Sequence, residues 1–504
     1  MTTRLRSASG RMAVVEEDGM RIVVTGAGIA GLSTAIAGGR RGHDVLVCER
    51  DEHPAPAPAS AAFEAWVRRG IGHFRQPHTF LPLARKTLID EAPDIMERLA
   101  AAGAGEFDQA SLLSFGEATP ADDELRVILC RRPVFEAVLR EVAGETPGVR
   151  LARGVVVEGL VARQRGRMVE VGGVQTASGM IDADLVVDAS GRTSRTYRWL
   201  EAAGAELPGR EERDCGIVYF SRHFRFRPGV EQPGATTIFG GPRGDLGYLL
   251  FVVIIGDART FSVVLATRPE DVDFKALRDG DAFLAAARRI PGLGQWVDPD
   301  VAEPVTPVLF MGRLANTLQP LHAAPGTLRG IRTVGDAFSH VNPTVALGAA
   351  VSLVHGFAVG ALLEQHTDVG DLSEAFEAAQ LPEARARFDA VSAEDRDRMR
   401  WWRGELLDPH DPNQSLALAI RSAVYPAATR DPEVFRAVAR RIGALDPIGV
   451  LPANRLLVER ALRIFADLRA RGAAPAPGCP PREELAEAMA EATWLRRPVM
   501  AAAS

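Results

Sequence analysis

Three glycines near the front of the chain carry the first readable chemistry. Arg21 to Thr25 (RIVVT) reads as a buried strand, followed by Gly26-Ala27-Gly28-Ile29-Ala30-Gly31 and a small-residue helix over Leu32 to Gly39. A second strand ends in Val45-Leu46-Val47-Cys48-Glu49. Gly26 allows a tight turn. Gly28 lets backbone N–H groups reach a pyrophosphate at the positive end of the helix, with Ile29 and Ala30 in the same cradle. Gly31 lets helix and strand pack closely. Glu49, with Arg50 beside it, stands where a carboxylate can take both hydroxyls of an adenosine ribose. An acid there disfavours a 2′-phosphate, so the expected nucleotide is FAD or NAD rather than NADP.

Two distant strand ends join this turn. Ala183 to Asp188 is a short buried strand running into Asp188-Ala189-Ser190-Gly191-Arg192-Thr193-Ser194. Ile331 to Asp336 is a second one, ending in Gly335-Asp336 and followed by Asn342-Pro343 and a helix expected from about Thr344. In an open α/β sheet all three would end at one carboxyl edge, where ligands bind. Asp336 can accept hydrogen bonds from a polyol, and the amides after Pro343 offer positive potential.

The rest of the chain must position these residues. Its 504 residues allow two or three domains, and 46% hydrophobic with 25% charged content is ordinary for a globular protein. A net charge of −6 gives no basic footprint for nucleic acid. Lys86 and Lys275 are the only lysines. Cys48, Cys130, Cys215 and Cys479 have neither metal-ligand nor CxxC spacing, which suits a reducing cytoplasm. Residues 1–20 lack the apolar core of a signal peptide and read as a flexible tail. Ala349 to Leu363, interrupted by Ser352 and His355, is too short for a membrane span and reads as a buried helix.

Asp51 to Ser60 is a Pro/Ala-rich linker, and Trp66 to Leu88 an unusual segment holding Arg69, Gln76 and His78. A helix over Arg85 to Ala102 should break at Pro93, a strand should cover Arg126 to Cys130, and a helix should run from Pro133 to Val142. Strands are expected at Gly154 to Glu158 and Met168 to Val174. Cys215 to Phe226, Gly247 to Ile255 and Arg259 to Thr267 are β-branched and aromatic runs of an antiparallel sheet, the last two joined by a hairpin at Gly256-Asp257. Beyond about Gly370 the pattern is helical, with a break at Ala473 to Pro481 before a final helix, Arg482 to Trp494.

The ordered set Gly26-x-Gly28-x-x-Gly31, Arg132-Pro-x-x-Glu, Asp188-x-x-Gly191 and Gly335-Asp336…Pro343…Gly348 resembles the FAD-dependent aromatic hydroxylase superfamily, which includes para-hydroxybenzoate hydroxylase. Asn342-Pro343 and Gln76-x-His78 are similar to its squalene and polyether epoxidase branch. The resemblance covers about residues 20 to 365. It implies that Glu49 binds the adenosine ribose and that Arg132 lies near the pyrophosphate and ribityl region. Asp188 and Gly191 would serve FAD and NAD(P)H, Asp336 would hold the ribityl chain, and the Pro343 helix end would face the flavin pyrimidine. Two positions depart from the family pattern: Ser339 where it commonly has His, with His340 following, and Ala346 where it often has Gly.

The expected fold is α/β, a Rossmann-like FAD-binding domain of glutathione-reductase type with an inserted antiparallel β-sheet substrate domain and a helical C-terminal region. The expected divisions are 1–20, 21–200, 201–325, 326–370 and 371–504. The function implied is a monooxygenase with non-covalent FAD. It would hydroxylate or epoxidise a small, largely apolar or aromatic metabolite, in secondary metabolism, with O₂ through a flavin C4a-hydroperoxide. NAD(P)H or a separate flavin reductase would supply electrons. A reductase or dehydrogenase on the same fold is the alternative. A halogenase is a weaker one, because its catalytic Lys and WxWxIP motif have no counterpart. His78 and His340 are the candidate catalytic residues, each set against a structural reading. Arg69 faces the cofactor or solvent, His355 is expected in the core, and Trp401-Trp402 in domain packing.

Overall fold

The computed structural model describes residues 19–68, 70–113, 116–233, 237, 240–366, 368–405, 420–470 and 479–494. Arg69 and most of the expected tail lie outside the described residues. Five parallel strands form the first sheet: β1 (Arg21–Thr25), β2 (Asp44–Glu49), β3 (Val149–Arg153), β4 (Leu185–Asp188) and β5 (Ile331–Thr333). Their spatial order is β5-β4-β1-β2-β3, the doubly wound order whose ligand crevice opens where connections depart to opposite sides. Register brings the three motif strands level. Thr25 pairs with Asp188, and Asp188 with Thr333.

The apolar runs of β1 and β4 explain their central places, since a parallel strand covered on both faces needs no polar alternation. Edge strand β3 escaped the sequence reading for the converse reason. Its VRLAR pattern mixes Arg with aliphatics and stays half exposed, and the expected strand from Gly154 is displaced to Val157–Arg165. Helix α1 (Ile29–Arg40) is buried along all but its last residue. It packs on α3 (Gly348–Gln365), where a Cβ on Gly356 would meet the Ser33 hydroxyl at 2.0 Å and one on Gly360 would meet Ala37 Cβ at 2.5 Å. Helix α3, 18 residues with mean hydropathy 1.2, is long and apolar enough to cross a membrane by composition, but half of it is buried and it packs into this core. Helix α2 (Arg132–Glu145) covers the same core.

A six-stranded antiparallel sheet forms the second layer, with Gly240–Asp245, Leu250–Ile255, Thr260–Thr267 and Val218–Phe226 as its consecutive strands. The hairpin at Gly256-Asp257 forms as expected. Period-two alternation divides the faces: Phe251, Val253, Phe261, Val263 and Leu265 pack on helix Gly280–Arg289, whereas Leu250, Val252, Ile254 and Val264 face the other way. The final helix, Arg482–Trp494, docks here as well, through Leu485 and Met489 in that core and Arg482 paired with Asp271 at 2.6 Å. Helix α4 (Val369–Trp402) leads back toward the sheet, where Trp402 is buried and donates to Asp245 at 2.8 Å, as domain packing requires.

Candidate functional site

A continuous cavity of about 630 Å³ runs from the first glycine turn to the apolar face of the antiparallel sheet. At one end lie Gly26, Gly28, Ile29 and Ala30. Gly26 has φ +99°, and a Cβ there would strike the Ala189 carbonyl at 2.8 Å; a Cβ on Gly31 would lie 1.9 Å from the Gly26 carbonyl. Gly31 therefore holds α1 against the turn, as expected, and lies behind the cavity rather than on it. A Cβ on Gly28 would meet no atom of the described residues within 4 Å. No side chain caps α1, so its first amides are left for a ligand. An uncapped helix start facing a cavity beside an open glycine fits a pyrophosphate.

Glu49 is held more tightly than the sequence implies. One carboxylate oxygen accepts from the Ala27 N–H at 3.0 Å, from Arg68 and from Arg140 at 3.2 Å; the other accepts from the Asp51 N–H at 3.0 Å. The second oxygen retains a lone pair for a hydroxyl. Behind it, Arg68 also pairs with Glu136 and, at 3.1 Å, with Asp51, while Arg132 donates to Glu136 at 2.5 Å. The three carboxylates Glu49, Asp51 and Glu136 thus face three guanidinium groups, and Trp66 is covered by Arg140 at 4.8 Å and Arg68 at 5.5 Å. Burial and the neighbouring Arg68 push Arg140 down to about 10. Burial alone would raise Glu136, but the guanidinium groups of Arg132 and Arg68 outweigh it and lower its carboxyl. No motif marks Arg68 in the sequence; in the structure it is 4% exposed at the centre of this cluster. Arg50 reaches the Gly70 carbonyl and lines the cavity.

Asp188 does not line the cavity. Its carboxylate accepts from the Thr25 hydroxyl at 2.9 Å, the Ser190 N–H at 2.8 Å and the Ser194 hydroxyl, so it clamps the loop that presents Gly191 and Arg192 to the cavity. Gly335 is likewise behind the wall. Its N–H donates to His355 Nδ1 at 3.0 Å, and His355 is buried between Phe338 and Phe376, as expected for a core residue. Asp336 does reach the cavity. Burial alone would raise its carboxyl, but His340, His73 and Arg132 hold it well below the usual carboxylate range.

His78 is structural. Its Nε2 accepts from Arg132 at 3.0 Å, which obliges Nδ1 to carry the proton it shares with the Gln76 carbonyl at 2.7 Å. Burial and Arg132 lower its pKa to about 3, so it is a neutral ring with both nitrogens committed and no proton to exchange. Gln76 is committed too, accepting from the Ser221 hydroxyl at 2.6 Å.

The helix expected from Thr344 starts instead at Gly348. Pro343–Val345 is a single tight turn, and Ala346, on the cavity wall, has φ +58°. A distant carboxylate holds this loop. Asp395 of α4 accepts from Asn342 Nδ2 at 2.7 Å, Asn316 Nδ2 at 2.9 Å and Arg398 at 2.8 Å, and the Asn342 N–H donates to Asn316 Oδ1 at 2.6 Å. Nothing in the spacing of Asn316, Asn342 and Asp395 signals this. His73 and Tyr219 also line the cavity without a motif to announce them, and Arg192 does so from within the Asp188–Ser194 stretch.

Residues 21–129 match the FAD dependent oxidoreductase family. The protein Rv3254 of Mycobacterium tuberculosis is 28% identical over 470 residues, 86% of this chain and 91% of that protein. PqsL, a probable FAD-dependent monooxygenase from Pseudomonas aeruginosa, superposes with a TM-score of 0.54 at 16% identity, over 76% of this chain and 98% of its own. The flavin-dependent brominase Bmp2 superposes with a TM-score of 0.54 at 18% identity, over 90% and 99%. The family match covers the first glycine turn and its flanking strands, and the chain as a whole shares the fold of these flavin-dependent proteins.

Proposed function

We propose that this enzyme is a monooxygenase that hydroxylates or epoxidises a small, largely apolar or aromatic metabolite of secondary metabolism, with non-covalent FAD. The observation that carries this reading is the continuity of the cavity, with an uncapped glycine cradle at one end and Leu250, Val252, Ile254, Val264 and Met311 at the other. Gly26, Gly28, Ile29 and Ala30 would hold the pyrophosphate and Glu49 the ribose. Arg50, Arg132 and Gly191 would line its path, Asp336 would take ribityl hydroxyls, and the Pro343 turn with Gly348 would face the ring. FAD, when bound, supplies the oxygen activation. The chain's own part is to orient the ligand against the sheet and to exclude water with aliphatic walls. NAD(P)H or a separate flavin reductase supplies the electrons. The buried free thiols of Cys48, Cys130 and Cys215 suit a reducing cytoplasm.

No lysine lines the cavity, and Lys86 sits in a surface pair with Asp90, which counts against the halogenase reading. Purified protein should show the visible spectrum of bound FAD, and ¹⁸O from labelled O₂ should enter the product. Product without label assigns the chain to reductases or dehydrogenases. A folded protein that stays colourless after incubation with FAD refutes the whole reading.

A further inference from the structure

We infer that His340, oriented by Asp336, is the proton-exchanging group of the cavity; this rests on the flavoenzyme reading above. His340 lies in the two-residue strand Ser339–His340, paired antiparallel with Ala315–Leu318, so its backbone is fixed. It is 8% exposed and lines the cavity. Its Nδ1 is 3.3 Å from Asp336 Oδ1, within ion-pair distance but off the hydrogen-bonding line, and neither ring nitrogen has a hydrogen-bond partner among the described residues. A buried imidazole in that condition carries an unmet desolvation cost, which a ligand in the cavity can satisfy.

The other histidines near the site are differently placed. His78 has both nitrogens committed, and the His355 Nδ1 takes the Gly335 N–H. His73 lines the cavity, but burial and then Arg132 keep it neutral. Burial likewise lowers His355 to about 3. The charged and titratable groups facing the pair are therefore Arg132 from α2, His73 and His78 from the segment that precedes helix Pro82–Glu91, and His355 behind Gly335. Asp336 turns one oxygen to His340 and keeps the other for the cofactor's polyol.

The step is a proton transfer. Protonated His340 gives its Nε2 proton to an anionic oxygen of the reactant held in the cavity. One N–H bond breaks and one O–H bond forms. The ring is left neutral with its remaining proton on Nδ1, the nitrogen on the Asp336 side, and Asp336 stays ionised throughout. A positioned acid of this kind contributes on the order of a hundredfold or more to rate.

The test uses the FAD-loaded full chain and its variants His340→Gln, His340→Asn and His340→Ala. Visible spectra of oxidised FAD are recorded across pH, and dithionite-reduced protein is mixed with O₂ to follow flavin reoxidation. Wild type should show a one-proton transition in both. The Gln and Asn variants should bind FAD, lose that transition and reoxidise about a hundredfold more slowly. Added imidazole should restore the rate in the Ala variant. A transition that survives in the Gln or Asn variant, or an Ala variant that imidazole does not rescue, overturns the assignment. So does loss of FAD from all three variants, which would make His340 a packing residue. A wild type that cannot bind FAD refutes the flavoenzyme reading and this inference together, whereas FAD binding with unaltered variants refutes this inference alone.

Discussion

At the glycine end of the cavity, carboxylates and guanidinium groups are buried against one another. At the sheet end the wall is mostly aliphatic, with Arg243 and Tyr219 set among Leu250, Val252, Ile254 and Val264, and Tyr219 donating to Met311 Sδ at 2.9 Å. The first end is costly to desolvate and tolerates no missing partner, because an uncompensated buried charge has nowhere to go. The second is held by nondirectional packing and tolerates changes of shape. A cofactor present in every turnover needs a rigid cradle, whereas the ligand end can be re-shaped without dismantling the fold. On the function proposed above, the contrast makes affinity for the nucleotide and choice of ligand separable properties of this chain.

The sharpest way to break that contrast is at Gly31. Gly31→Val puts its side chain into the Gly26 carbonyl, 1.9 Å from the Cβ position, and should abolish FAD-loaded protein altogether, as read by flavin absorbance of the purified chain. Next in size is Glu136→Ala, which strands Arg68 and Arg132. It should cost about 3–5 kcal/mol in urea unfolding. Glu136 also sets a pH signature. Its folded carboxyl is lowered, so its contribution is fully present above the ordinary value of about 4.3 and is lost as pH falls through the lowered one. Acid should destabilise wild type more steeply than the Ala variant over that window.

Gly28→Ala sharpens the comparison from within the cradle. The methyl meets no atom of the described residues, so the melting temperature of the FAD-free protein should hold while FAD affinity falls about tenfold, or ~1.4 kcal/mol. Equal loss of both would mean that Gly28 serves folding rather than binding. Ala346→Gly should be a small gain of about 1 kcal/mol in thermal or urea unfolding, since a non-glycine residue at φ +58° is strained. At the sheet end, Val252→Phe narrows the cavity. It should raise KM for bulky ligands while leaving FAD content unchanged and stability within about 1 kcal/mol. A loss of FAD in that variant would erase the distinction between the two ends.

Much of the glycine end was legible because its signals are local. A strand, a turn that needs Gly26, a helix and an acid lie within 30 residues, and each follows from backbone sterics or periodicity. The alternating runs of the antiparallel sheet were legible for the same reason, and so was the core role of His355 on an apolar helix. The helix start at Gly348 was misread because Pro343 is a good first-turn residue and nothing local shows that Ala346 adopts a left-handed conformation. Strand β3 was misread because edge strands keep charged residues.

Local pattern thus determined the glycine turn at a helix start and which strands carry it. Tertiary packing alone decided what the charges do. Arg68 meets Glu49 and Glu136 across gaps of 19 and 68 residues, and Asn342 meets Asp395 across 53. The physical reason is that a charge has no periodicity: its partner is whatever the fold brings within 3 Å, and burial then makes that partner indispensable. The same reason parts the two candidate histidines, since Arg132 closes off His78 and leaves His340 with Asp336.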